Sequence, residues 1–120
     1  MYGAPRNRIH HNISVNDTTF TELGGDGTTG NAFYYNKYVD TAHDRTEAFN
    51  LGRGRITAVY NNSIYLTGGD SRGLVVGTGD GGTVVKNNIF YVNASGSVVL
   101  LIAISSCCLL PVKRYLRTRS

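Results

Sequence analysis

Four asparagines recur along this chain at nearly one interval, and that interval restricts the possible folds more than any other feature. Asn12, Asn36, Asn62 and Asn88 stand 24, 26 and 26 residues apart. Three positions before each lies an apolar or aromatic residue: Ile9, Phe33, Val59 and Val85. A short run rich in Ile, Val and Tyr follows. A period of this size marks a solenoid or an array, whose units bury their apolar faces only by stacking. A second phase runs in step. Leu23, Phe49 and Val75 are also spaced by 26, so each repeat holds at least two extended segments.

Those segments read as strands. Their β-branched and aromatic residues are bounded by Gly, Asn, Asp and Ser, and the chain carries 15 Gly. Helical repeats would instead need amphipathic stretches of good helix formers. Tight-hairpin dipeptides occur only at Asp26-Gly27 and Asp80-Gly81, and they do not recur with every repeat. The spacing therefore predicts an all-β parallel solenoid of about four coils over residues 1–97. Coils stacked about 4.8 Å apart bring like residues into columns, and a column of amides can hydrogen-bond along the axis. Asn12, Asn36, Asn62 and Asn88 are read as that structural ladder. Asn also tolerates the left-handed backbone of a corner. The inward set is Ile9, Phe33, Val59, Val85, Leu23, Phe49 and Val75.

The phrases Arg8-Ile9-His10-His11-Asn12-Ile13-Ser14, Val59-Tyr60-Asn61-Asn62-Ser63-Ile64-Tyr65 and Val85-Lys86-Asn87-Asn88-Ile89-Phe90 resemble coils of right-handed parallel β-helix proteins, the pectin-lyase-like superfamily. Thr19-Phe20-Thr21-Glu22-Leu23-Gly24-Gly25 resembles a phrase of secreted bacterial members. The resemblance covers about residues 6–96. It implies a right-handed coil, which the handedness of parallel crossovers also favours. It further implies a secreted, carbohydrate-active protein, either lyase-like or hydrolase-like. A non-enzymatic glycan-binding, adhesin or tailspike-like solenoid is the alternative within the same superfamily. Calcium is a cofactor by resemblance only. Members of the superfamily are usually longer, so the chain reads as a fragment with an incomplete site, whose uncapped coils invite end-to-end association. No signal peptide is read, because Met1 to His11 lacks an apolar central run.

The formal charge of +4 is a property of the tail. Lys113, Arg114, Arg117 and Arg119 leave eight basic and eight acidic residues over 1–112. The coils thus carry no excess of positive charge, which argues against nucleic acid as a partner. Residues 98–120 are read as an apolar strand followed by a divergent basic tail. Val98 to Ile104 stays in phase, with Leu101 placed 26 after Val75. The next ladder position falls on Arg114. A membrane anchor over Val98 to Val112 is disfavoured, since 15 residues fall short of the ~20 needed to span the hydrocarbon core. Cys107 and Cys108 are adjacent and cannot frame a disulfide scaffold or a metal site.

Chemistry at the level of motifs is sparse. No phosphate loop, dinucleotide fingerprint, nucleophile elbow or zinc signature occurs, and no metal site is read. Three polar clusters remain: His10-His11 with Asp17; Glu22 with Asp26 before the glycine-rich stretch; and Asp40-Thr41-Ala42-His43-Asp44-Arg45-Thr46-Glu47. Alternation along a strand would send His10 and His11 to opposite faces. Glu22 matches Ala48 and Leu74 at 26-residue steps, so a charge stands where the other coils are apolar. The third cluster should form a loop, and catalytic groups favour loops on rigid scaffolds. Glu22, Asp44 and Arg45 are the candidate catalytic residues, because acid–base work on a glycan needs carboxylates and a cation at one face. Arg53 and Arg55 could meet a carboxylated sugar. Tyr34, Tyr35, Tyr38, Tyr60, Tyr65 and Tyr91 offer rings for sugar stacking, although ladder packing accounts for them as well.

Overall fold

Strands of three or four residues cannot bury a face alone, so their neighbours in space must be the equivalent strands of adjacent repeats. The computed structural model describes the chain apart from residues 25–27, 53, 78–80, 94, 102–107, 110–111 and 118–120. The described elements are all strands. They are β1 (Arg8–His10), β2 (Ile13–Val15), β3 (Thr19–Glu22), β4 (Ala32–Tyr34), β5 (Lys37–Asp40), β6 (Glu47–Asn50) and β7 (Ala58–Tyr60). There follow β8 (Ser63–Leu66), β9 (Arg72–Val76), β10 (Val84–Lys86), β11 (Asn88–Asn93), β12 (Ser97–Leu101), β13 (Cys108–Leu109) and β14 (Val112–Arg117). Every third strand pairs. The first sheet runs β1-β4-β7-β10-β13, the second β2-β5-β8-β11-β14 and the third β3-β6-β9-β12. All pairings are parallel. The protein is a parallel β-solenoid.

The expected count of about four coils is not a whole number of turns. The sheets hold five, five and four strands, because β13 and β14 add to the first two only.

The expected columns form in the first sheet. Ile9, Phe33, Val59 and Val85 are in register, and the last three are buried. Tyr38, Ile64 and Phe90 make a column in the second sheet, and Phe49 and Leu74 one in the third. Phe33 and Phe49 meet edge to face at 5.8 Å across the interior. Burying a side chain of this size contributes roughly 2–3 kcal/mol. Leu23 and Val75 are buried too.

The amide ladder exists, and its geometry explains it. At the corner between the first two sheets the chain turns through a left-handed residue, which interrupts the regular pairing of peptide groups. His11, Tyr35, Asn61 and Asn87 take φ of 57°, 54°, 55° and 54°. The left-handed residue thus precedes the ladder Asn. Asn is fixed at its phase by side-chain bonding, not by its tolerance of that backbone. Asn62 Nδ2 donates to the Phe33 carbonyl and to Asn88 Oδ1, at 3.0 and 2.9 Å. Its Oδ1 accepts from the backbone N–H and the Nδ2 of Asn36, at 2.9 and 3.1 Å. All four capacities of the amide are filled, and Asn36 and Asn88 repeat the arrangement toward Ile9 and Val59. Asn12 is exposed at the end of the column and donates to Asn36.

The corner between the third sheet and the first is built the same way. Arg6, Gly30, Ile56 and Gly82 have positive φ, and each precedes a buried or half-buried polar residue: Asn7, Asn31, Thr57 or Thr83. Asn7 Nδ2 donates to Asn31 Oδ1 at 3.0 Å. Thr57 and Thr83 are too short to continue this second ladder, and their hydroxyls are buried without a hydrogen-bond partner.

The third sheet departs from the expected phase. Thr21 pairs with Phe49, and Phe49 with Leu74, so Leu23, Phe49 and Val75 do not share a row. The cause is the remaining corner, whose loop varies in length: residues 16–18, then 41–46, then 67–71. Leu101 accordingly pairs with Val76. Likewise Val112, not Arg114, stands in the row of the ladder Asn, and Arg114 pairs with Phe90. No helix among the described residues is long and apolar enough to cross a membrane.

Asn62→Ala should lower the unfolding free energy by about 3 kcal/mol, because it strands buried donors and the Phe33 carbonyl. Asn12→Ala should cost less than about 1 kcal/mol. Urea midpoints at constant m-value distinguish the two. Ile56→Gly should instead stabilise the fold by up to about 1 kcal/mol, since a β-branched residue is held there in a left-handed conformation that Gly30 and Gly82 adopt freely.

Candidate functional site

Two corners carry polar rows, and the third is satisfied loop by loop. The chemistry gathers at that third corner. On β5 the inward rows continue from Tyr38 to Asp40, and Asp40 lies in register with Leu66, itself in register with Val92. A carboxyl group therefore occupies a column that is aliphatic in later coils, and it is fully buried. An isolated buried carboxylate is costly, so it needs partners. The loop supplies them. The Ala42 N–H donates to Asp40 Oδ1 at 3.0 Å, and His43 Nδ1 lies 3.1 and 3.3 Å from the two carboxylate oxygens.

This pairing fixes the chemistry of His43. With Nδ1–H donating to Asp40, the neutral ring keeps its lone pair on Nε2. The His43 side chain is 40% exposed. The result is a partly exposed imidazole tied through Nδ1 to a buried carboxylate.

Neighbouring coils clamp the loop. Thr41 N–H donates to Asn16 Oδ1 at 3.0 Å, and Asp70 N–H to the Asp44 carbonyl at 2.9 Å. The Thr46 hydroxyl is buried and donates to Ser71 Oγ at 2.7 Å. Gly68 is required by this close approach: a Cβ there would collide with the His43 and Asp44 carbonyl oxygens. Arg45 and Asp70 form an ion pair at 3.5 Å, with both side chains largely exposed. Asp44 is exposed beside them. Below the loop, the Tyr38 hydroxyl donates to the Asp17 carbonyl. Burial, then the charges of Asp40 and Asp17, push the Tyr38 phenol well above its usual range, so it stays protonated.

Asp44 and Arg45 thus share a loop with His43. Glu22 does not join them. It pairs with Asn50 at the far end of the third sheet, three strand residues beyond the Thr19–Glu47 pair. That places it about 10 Å or more from the loop. Its row holds Asn50 and Val75, not Ala48 and Leu74, so the apolar row that made it stand out belongs to different residues. Glu22 accepts a hydrogen bond from the Tyr2 hydroxyl at 2.7 Å and lines a hollow of about 490 Å³ at the first coil with Ile9, Phe20 and Phe33.

Other expectations change as well. His10 and His11 do not face opposite ways: the left-handed corner at His11 breaks strand alternation, and their Nδ1 atoms approach to 2.8 Å. The tyrosine rings are poor sugar platforms. Tyr34 stacks on Tyr60 at 5.0 Å and Tyr65 on Tyr91 at 4.5 Å, so coil stacking covers ring faces. Tyr38 is in the core. Asp26, Arg53, Asp80 and Cys107 lie outside the described residues. The Asp40–His43 pair itself was visible only as part of a polar stretch. The signal that singles it out, an acid two residues after the inward Tyr38 in an otherwise aliphatic row, needs the true register.

Comparison of the chain with protein-family models, with curated proteins and with solved structures returned no match. Site geometry therefore carries the functional reading.

Asp40→Leu should change the unfolding free energy, read from urea midpoints at constant m-value, by less than about 1 kcal/mol. Leu is the residue its column carries elsewhere, and the exposed Ala42 and partly exposed His43 can turn their freed donors to water. The same substitution should release the His43 ring, visible as a collapse of its NMR shift toward the free-imidazole value.

Proposed function

We propose that this solenoid acts on acidic polysaccharide as a lyase-like member of the pectin-lyase-like superfamily, with its centre on the loop of residues 41–46. The carrying observation is the buried Asp40 that engages Nδ1 of the partly exposed His43 ring. A lyase abstracts the proton next to a uronate carboxyl group; the electron pair forms a double bond to the neighbouring carbon, whose glycosidic oxygen leaves and takes a proton from water. The step needs a base at the first carbon and a cation at the carboxylate. His43 is the candidate base. Arg45 is the candidate cation, exchanging its exposed Asp70 partner for the uronate. Asp40 is a positioning residue, and Asp44 borders the subsite. A hydrolase would instead use two carboxyl groups converging on one glycosidic bond, whereas Asp40 is covered and Asp70 is engaged by Arg45.

Secretion and a calcium requirement accompany the same resemblance. No group of three His, Cys, Asp or Glu side chains among the described residues is arranged to hold a metal ion, so no step is assigned to calcium. The open edge strands β1, β2 and β3 at one end of the stack, with the hollow beside them, support end-to-end association. The non-enzymatic reading, a glycan-binding or adhesin-like surface, is favoured by the stacked pairs Tyr34–Tyr60 and Tyr65–Tyr91, whose side chains are partly exposed.

A panel of uronic-acid and neutral polysaccharides separates these readings. The lyase reading expects ultraviolet absorbance from an unsaturated product, a fall in kcat of about 100-fold or more in His43→Gln, a raised KM in Arg45→Gln, and unchanged rates in Glu22→Gln. Retention of a glycan without turnover, indifferent to His43→Gln, would establish the binding module instead.

A further inference from the structure

The first corner brings two imidazoles together in a way that strand alternation forbids. His10 ends β1, and His11 follows in a left-handed conformation with φ of 57°. Both are exposed, and their rings stand nearly perpendicular, at 86°, with Nδ1 atoms 2.8 Å apart. Each ring is supported from the next coil: His10 stacks on Tyr34 at 4.8 Å, and His11 lies against Tyr35 at 5.2 Å. The pair is therefore held by the fold, not by the pair itself. The proposed polysaccharide site uses neither residue.

We infer that His10 and His11 form a two-imidazole chelate for a divalent transition-metal ion of tetragonal preference, copper(II) before nickel(II). The distance selects the geometry. Imidazole nitrogens bind such ions at about 2.0–2.1 Å. Two ligands in cis positions, 90° apart, then have nitrogens about 2.9 Å from each other, whereas tetrahedral ligands are about 3.4 Å apart. The observed separation matches the cis arrangement, which is the geometry of copper(II) and nickel(II). Zinc would require the rings to spread. The remaining equatorial positions face solvent and would hold water. Arg8, two residues earlier on β1, is the nearest cation along the strand, but its Nη1 donates to the Asn7 and Gly30 carbonyls. The alternative use of the 2.8 Å contact is a direct hydrogen bond between one Nδ1–H and the other Nδ1, which a bound ion would replace.

The chain supplies its own control substitutions. Tyr34 and Tyr60 occupy the His10 row, and Asn61 and Asn87 occupy the left-handed position of His11. His10→Tyr and His11→Asn are thus compatible with the coil, and an unchanged far-ultraviolet β-spectrum verifies this. Metal-free protein carrying His43→Gln, to silence the remaining histidine, is titrated with copper(II), nickel(II) and zinc(II) at pH 7.5. The expected result is one copper ion per chain, an electron paramagnetic resonance spectrum showing two equivalent-type nitrogens, and weaker nickel binding. Each single substitution should weaken copper binding at least tenfold, and the double variant should lose it. Copper binding that persists unchanged in the double variant, or tighter binding of zinc than of copper, would overturn the assignment.

Discussion

A parallel solenoid has to turn its chain several times per coil, and each turn breaks the regular pairing of peptide groups between coils. The rest of this structure depends on how that break is repaired. At the first corner a buried Asn replaces the missing peptide partners with its own amide, which has the same donor and acceptor pattern. Because Asn36 and Asn62 each bond to the preceding and the following Asn, the repair works only when coils are stacked at constant register. The ladder therefore aligns the strands on either side of it, and the Ile9–Phe33–Val59–Val85 column is a consequence of that alignment. Hydrophobic burial supplies most of the driving force, but it does not distinguish one register from another as sharply as the three saturated amides of Asn36, Asn62 and Asn88 do.

The corner that leads into the third sheet differs from coil to coil: its loops are residues 16–18, 41–46 and 67–71. The longest holds His43 and Arg45, with the buried Asp40 at the end of the strand that leads into it. The polar rows fix the residues that enter the first and second sheets, whereas this corner is satisfied loop by loop. Asp40 is the clearest local cost: it substitutes a carboxyl group for the aliphatic residue of its column, and that cost is offset only by the partners that fix His43.

Much of this was legible in the residues, and the failures have identifiable causes. The strands, the parallel stacking, the Asn12–Asn36–Asn62–Asn88 ladder and the first column follow from one undisturbed period. The third sheet was misaligned because spacing by 26 from Leu23 to Phe49 hides opposite changes in successive corner lengths; only pairing reveals that Thr21 is the partner of Phe49. Glu22 stood out for the same reason and ceases to do so in its true row beside Asn50. His10 and His11 were separated by a rule that holds for strands and fails at a left-handed corner. The second polar row was overlooked although Asn7 and Asn31 share the 24-residue step of Asn12 and Asn36, because Thr57 and Thr83 interrupt its chemistry. Asp44 and Arg45 do lie on a loop, as their polar stretch suggested, but the residue of that loop held by a buried partner is their neighbour His43.

The most direct test of the account is hydrogen exchange at the asparagine side-chain amides, followed by NMR in the folded protein. Saturated ladder bonding predicts that the Nδ2 protons of Asn36 and Asn62 exchange as slowly as core strand amides, with Asn12 at the exposed end much faster. Rapid, free-amide exchange at Asn36 and Asn62 in a protein that keeps its β-spectrum would contradict it, since the coils would then be stacked without the bonds said to set their register.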